Sequence, residues 1–293
     1  MKTWLVSLAL SICFSGASFA DDLPDYVRYA EDNDSARLEI AIRKFTMPSG
    51  QSVDLIGAVH IADIAYYQAL NQRFDAYDAV LFELVGNPKN LTEPVLPADQ
   101  GQLQSRGGAV SLLQQSAGKY LDLTFQLGAI DYAKKNMVHA DMTTAEFQKM
   151  QKERGETMTT LFSRAMQVQA SGKLDSAALR ELDTFGLIRI LMSPDSAAAF
   201  KRALAKMLDQ MESITEAMEG KDGSAVLSGR NDVVMRKLET VLANRKQRRI
   251  AVFFGGAHMP GIETSLTKDM KAKATGEEWL PAWTMPKAKP PAS

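Results

Sequence analysis

The amino-acid sequence predicts an α/β fold: a mixed central sheet flanked by helices, interrupted by an all-helical insertion. Three observations lead there. Apolar strand-like runs alternate with helical periodicity over residues 36–143 and again over 225–283, the alternation of layered α/β structures. Residues 144–224 between them are helical in pattern throughout. Two of the apolar runs also end in the same short shape, Gly57-Ala58-Val59-His60 and Gly255-Gly256-Ala257-His258, so the insertion separates two Gly-x-x-His halves of one domain, residues 21–293.

The chain opens on Lys2, an apolar run from Trp4 to Phe14, and small residues closing Ser18-Phe19-Ala20. This is the layout of a cleavable export signal. Residues 1–20 are read as that signal, with cleavage after Ala20 and a periplasmic or secreted destination. Cys13, the single cysteine, falls inside it, behind Ile12 rather than the small residue of a lipoprotein cleavage site. The mature chain then has no cysteine, and its core must hold it without disulfides. Losing Lys2 takes the formal charge from −1 to −2. A near-neutral chain without a basic stripe argues against nucleic acid as a partner; the cluster Arg245-Lys246-Gln247-Arg248-Arg249 reads as a solvated helix end. The apolar run of the signal is short for a span of about 20 residues, and no later stretch replaces it, so no stable membrane insertion is expected.

Along the mature chain, Leu38, Ile40 and Ile42 alternate with polar residues, Pro48-Ser49-Gly50 supplies a turn, and Val53, Leu55 and Ile56 resume a second strand that runs into His60. Asp63 stands where it can cap a helix whose apolar face is Tyr66, Tyr67, Leu70 and Phe74. The run Ala79 to Val85 is a buried strand broken by Glu83. Residues 86–118 read as a long connection, Leu121 to Ala133 as a helix, and Met137 to Ala140 as a short strand delivering Asp141. In the insertion, Phe200, Leu204, Met207, Leu208, Met211, Ile214 and Met218 share one helical face. Methionines recur here; they read as core fillers or, less simply, as an adaptable binding surface. A helix over Asn231–Ala243 precedes the strand Arg249 to Phe254, which runs straight into the second histidine motif, and a helix over Gly261–Met270 closes the core. Residues 284–293 read as a flexible tail.

Only three histidines occur in the chain. His60 and His258 each follow a strand-ending glycine, a residue that permits positive φ and close approach of backbone to a ligand, and a strand end aims side chains into the crevice where open α/β sheets bind. Glu83 breaks an apolar strand, which is costly for a carboxylate unless it is paired or metal-bound. Two imidazoles and a carboxylate suffice to hold one divalent metal with positions open for water, and metal-bound water is a nucleophile near neutral pH. The same three residues could instead run metal-free acid/base hydrolysis. Asp63, His139, Asp141 and Asn231 are candidates for the surroundings of the site, with Asp63 read equally as a helix cap. Arg230 can clamp a carbonyl or carboxylate. No Gly-x-Ser-x-Gly, Walker or His-Glu-x-x-His signature is present.

The set Gly57-Ala58-Val59-His60, Phe82-Glu83-Leu84, Arg230-Asn231 and Phe254-Gly255-Gly256-Ala257-His258-Met259-Pro260-Gly261 resembles the TraB/GumN/TIKI family, in the family's order. The resemblance implies a fold like that of erythromycin esterase and ChaN-type haem-binding proteins. It further implies a TIKI-like metallopeptidase with His60, Glu83 and His258 as metal and catalytic residues and Arg230 as the arginine landmark; a guanidinium in that place would stabilise a developing oxyanion. The implied cofactor is a divalent metal, manganese or cobalt, with zinc a further candidate; the implied partner is a peptide or small-molecule substrate. The alternative is a non-catalytic protein that holds a metal or haem in the same crevice.

Overall fold

Side-chain alternation organises the sheet. The computed structural model describes residues 25–91, 121–157, 181–210 and 223–287, with residues 159, 160, 163, 164, 167 and 219 between them. The expected export signal, nearly all of the connection over 86–118, the methionines at 158, 166, 211 and 218, and residues 288–293 lie outside these. Nine strands stand among the described residues: β1 (Val27–Glu31), β2 (Ser35–Thr46), β3 (Ser52–Ala58), β4 (Ile61–Ala62), β5 (Ala79–Phe82), β6 (Thr124–Phe125), β7 (Met137–His139), β8 (Arg249–Gly255) and β9 (Lys273–Pro286). The helices are α1 (Ile64–Phe74), α2 (Gln126–Ala129), α3 (Thr144–Glu153), α4 (Thr184–Leu191), α5 (Ser196–Leu208), α6 (Ser228–Ala243) and α7 (Met259–Thr264).

The protein is α/β with a mixed central sheet flanked by helices, of strand order β1-β2-β3-β8-β5-β7 with β9 also on β2, beside a small β4–β6 sheet. The hairpin β2–β3 is antiparallel, from Ile42↔Ile56 to Thr46↔Ser52, while β3, β8, β5 and β7 run parallel. Period two sorts each strand between the faces. Ile56, Val80, Phe82, Ala251 and Phe253 pack with Tyr66, Tyr67, Leu70 and Phe74 of α1. Val53, Leu55, Ala79, Leu81, Val252 and Phe254 pack with Val234, Leu238 and Leu242 of α6 and Met259 and Ile262 of α7.

Several expectations are corrected. Residues 121–133 are not one helix; Leu121 is helical, but after it only Gln126–Ala129 is, because Asp122 takes φ 53° and Thr124–Phe125 pair with β4. The closing helix is α7, starting at Met259, and a π-type turn over Ser265–Asp269 follows it. Residues 284–286, placed in the tail, complete a fourteen-residue strand, β9, that pairs with β2 from Ser35↔Pro286 to Thr46↔Lys273. Pro281 and Gly276 hide this strand in the sequence. Proline is tolerated in a sheet mainly at an edge or beside an irregularity, and the register does shift between Leu38 and Glu39, where Pro281 pairs. The strand β1 precedes the predicted core boundary at residue 36 and pairs with β2 as well. Of the predicted helical face, Phe200, Leu204, Met207 and Leu208 lie on α5, which ends at Leu208; Met211, Ile214 and Met218 lie outside the described residues. Phe200, Leu204 and Leu208 pack on the face of the sheet that α1 covers.

Candidate functional site

Four adjacent parallel strands deliver the candidate residues. The register Gly57↔Phe254 and Ala58↔Gly255 sets the two Gly-x-x-His strand ends side by side, and β5 and β7 continue the row. His60, His258, Glu83 and Asp141 thus all leave the carboxyl edge of the sheet, where open α/β folds bind ligands. A strand from the far end of the chain, β8, is inserted between β3 and β5, and that insertion brings the two halves together.

Arg230 is the centre of what assembles there. It lies in the first turn of α6 and is buried. Its Nε donates to Asp141 Oδ1 at 2.9 Å, and its Nη2 donates to Asp141 Oδ2 and to Glu83 Oε1, each at 2.5 Å. Nη1 meets His258 Nε2 at 3.1 Å. The other imidazole nitrogen, Nδ1, is 2.8 Å from Asn231 Oδ1, while Asn231 Nδ2 donates to the His258 carbonyl at 3.4 Å. An amide oxygen only accepts, so Nδ1 of His258 carries the proton and Nε2 offers its lone pair to Arg230. Glu83 Oε2 accepts from the Gly255 N–H at 2.5 Å, and Glu83 Oε1 lies 3.7 Å from His258 Nε2.

The glycines serve close approach, not positive φ. Gly255 has φ −49°. A Cβ there would stand 3.2 Å from Glu83 Oε2, and one on Gly261 would stand 2.6 Å from Asn231 Nδ2. Gly255 and Gly261 thus leave room for polar groups of the site, whereas Gly57 leaves room for Ile40 in the core.

Burial and charge fix the protonation states. Burial by itself would raise the Glu83 pKa, but His258, Arg230, the Gly255 N–H and His60 outweigh it and bring the carboxyl down to about 2. Burial lowers the His258 pKa, Arg230 adds to this, and Glu83 and Asp141 only partly oppose it, so the value falls to about 4. Burial disfavours the charge on Arg230 too, but hydrogen bonds to Asp141 and the charge of Glu83 more than offset it, and its pKa is raised. At neutral pH the Glu83 carboxylate and the Arg230 guanidinium are therefore charged and the His258 imidazole is neutral.

His60 stands apart. Its carbonyl accepts from Gln126 N at 2.9 Å, and the carbonyls of Gly57 and Val59 accept from the Tyr66 and Tyr67 hydroxyls at 3.1 and 2.9 Å. The backbone is thus pinned, while the side chain is exposed, has no hydrogen bond among the described residues, and touches Glu83 only through charge.

Of the remaining candidates, Asp141 and Asn231 belong to the cluster. His139 and Asp63 do not. Nε2 of His139 donates to the Leu84 carbonyl at 2.7 Å and holds the chain after β5. Asp63 makes no side-chain cap on α1; it accepts from Lys201 Nζ at 2.6 Å and Thr284 N at 2.7 Å, so α5 and β9 claim it instead of His60. A cleft of about 620 Å³ between α3 and α6 borders the cluster at Asp141 but is otherwise lined by residues such as Met142, Glu146, Met150 and Lys237. It lies beside the strand ends and is not lined by His60, Glu83, Arg230 or His258. Sequence reasoning missed the two tyrosine hydroxyls; adjacent tyrosines on a core-facing stripe are the signal, since a buried hydroxyl needs an acceptor.

Compared with protein-family models and with curated proteins, the chain matches none. The family resemblance rests on the motif residues alone.

Carboxylate and imidazole are donors that suit manganese, cobalt or zinc, but their arrangement here does not. The single lone pair of His258 Nε2 points at Arg230, Glu83 Oε1 accepts from the same guanidinium, and no three His, Cys, Asp or Glu groups gather into a metal cluster among the described residues.

Proposed function

We propose that this chain is an exported hydrolase, most simply a peptidase, working at the crevice where His60 faces the Glu83–Arg230–His258 cluster. The observation that carries the reading is the buried guanidinium. Four of the five N–H groups of Arg230 have partners in Asp141, Glu83 and His258, and the fifth, on Nη1, has none among the described residues and can donate to a substrate oxygen. Donors fixed in a water-poor site stabilise a developing oxyanion well.

In this reading His60 takes a proton from water as the oxygen adds to the carbonyl carbon, and Arg230 donates to the oxyanion. The imidazolium, facing the Glu83 carboxylate, then returns the proton to the leaving nitrogen as the C–N bond breaks. Glu83 and His258 hold Arg230 in place. The metal-dependent chemistry implied by the resemblance to the TraB/GumN/TIKI family would require Arg230 to leave both donors.

Screening the mature protein against a peptide library tests the proposal. His60→Ala should lower turnover by about 10²- to 10⁴-fold, the range of a general base. No turnover by the wild type, or turnover indifferent to His60→Ala, removes it. A second reading, a binding protein that holds a metal or haem without turnover, draws on the exposed, unengaged ring of His60; a Soret band on haem titration, lost in His60→Ala, would select it.

A further inference from the structure

We infer that Arg230 is the resident cation of this crevice and keeps divalent metal out, so that a latent metal site between Glu83 and His258 opens only when Arg230 is replaced. Orbital occupancy and charge decide between the two cations. A neutral imidazole with its proton on Nδ1 has one lone pair, on Nε2, and that lone pair accepts from Arg230 Nη1 at 3.1 Å. A metal ion needs the same lone pair. The second donor is engaged in the same way, since Glu83 Oε1 accepts from Nη2 of the same guanidinium at 2.5 Å.

The two donor atoms are 3.7 Å apart, a span that one guanidinium bridges and that a single ion bound to both would also bridge. Either cation fits, and not both, because like charges would then share one low-dielectric site. Arg230 is covalently present and doubly tied to Asp141, whose side chain is fully buried. Asp141 therefore selects the guanidinium: it holds the arginine in the position that competes with metal. Asn231, by keeping the proton on Nδ1, makes Nε2 an acceptor for whichever cation is there.

The inference concerns the same crevice as the proposed hydrolase but rests on the hydrogen-bond geometry alone. Metal binding is read without substrate, so failure here and failure of the hydrolase reading appear in different assays. The full mature protein is titrated with Co²⁺ and with Mn²⁺, following Co²⁺ absorbance and binding heat, in the wild type, His258→Ala, Arg230→Met, Arg230→Lys and Arg230→Met with His258→Ala. The wild type should take up no more metal than His258→Ala. Arg230→Met should bind one equivalent, tighter than the wild type by about 10-fold or more, the scale on which neighbours of metal ligands act. That gain should vanish in the double variant. If Arg230→Met does not fold alone, refolding it with Mn²⁺ should recover the native circular dichroism, and Arg230→Lys, which keeps a charge but not the planar bridge, should bind more weakly than Arg230→Met and more tightly than the wild type. One equivalent bound by the wild type and lost in His258→Ala overturns the inference. So does a folded Arg230→Met that binds no better than the wild type, or one that refolds no better with Mn²⁺ than without it.

Discussion

Asn231 and Gly261 define what the imidazole of His258 can do. Replacing Asn231 by Ala strands the Nδ1–H in a buried site, which costs about 1–3 kcal/mol of stability, measurable by urea denaturation. Replacing it by Asp puts a negative charge against Nδ1–H and favours the imidazolium, so the His258 pKa should rise from about 4 in an NMR titration. Gly255→Ala sets a methyl 3.2 Å from Glu83 Oε2 and should weaken the N–H bond that the carboxylate accepts. The pH dependence follows from two depressed values. The unfolded chain takes up a proton on His258 below about 6.5 while the folded protein refuses it until about pH 4. Stability from this group is therefore complete above pH 6.5 and lost on descending to pH 4, on the order of 3 kcal/mol. Glu83, ionised in the fold down to about pH 2, adds a second loss below its unfolded value. Chemical denaturation at pH 7, 5.5 and 4 checks the sign; stability that rises on acidification across this window would contradict the assigned neutral imidazole.

Among the elements, β9 and α5 do most to hold the sheet edge. Trp283 on β9 is fully buried and its Nε1 donates to the Ile61 carbonyl at 2.7 Å. Trp283→Ala should cost about 3–5 kcal/mol and loosen the segment after β3 that carries His60. The Asp63–Lys201 pair ties α5 to the same segment, and Asp63→Ala, which leaves a largely buried ammonium only the Thr284 carbonyl at 3.5 Å, should cost about 1–3 kcal/mol. Both effects are read from denaturant midpoints. The elements legible in the sequence were those with an unbroken local pattern. The β2–β3 hairpin, α1 and α6 obey a period of 2 or 3.6, and β5 and β8 stand out as continuous apolar runs. Hidden ones, β9, β6 and the fragment α2, are decided by pairing partners distant in the chain, which override local propensity. The site divides the same way. Glu83 announced itself as a charge inside an apolar strand, and the histidines by their repeated setting. The contacts that join them, Arg230 to His258 and Gly255 to Glu83, depend on β8 entering between β3 and β5, which no local pattern specifies.

At the scale of the whole molecule, one parallel row of strand ends collects groups from residues 60, 83, 141 and 258, and a helix after the insertion supplies the arginine that binds three of them. Among the described residues no helix is long and apolar enough to cross a membrane. On the proposed reading this site is hydrolytic and Arg230 is its cation. The decisive measurement is peptide turnover by the wild type and by Arg230→Lys in excess chelator. Wild-type turnover should persist in chelator and fall about 10²- to 10³-fold in Arg230→Lys, the loss expected for one oxyanion donor. Turnover that chelator abolishes and manganese restores would rule this reading out.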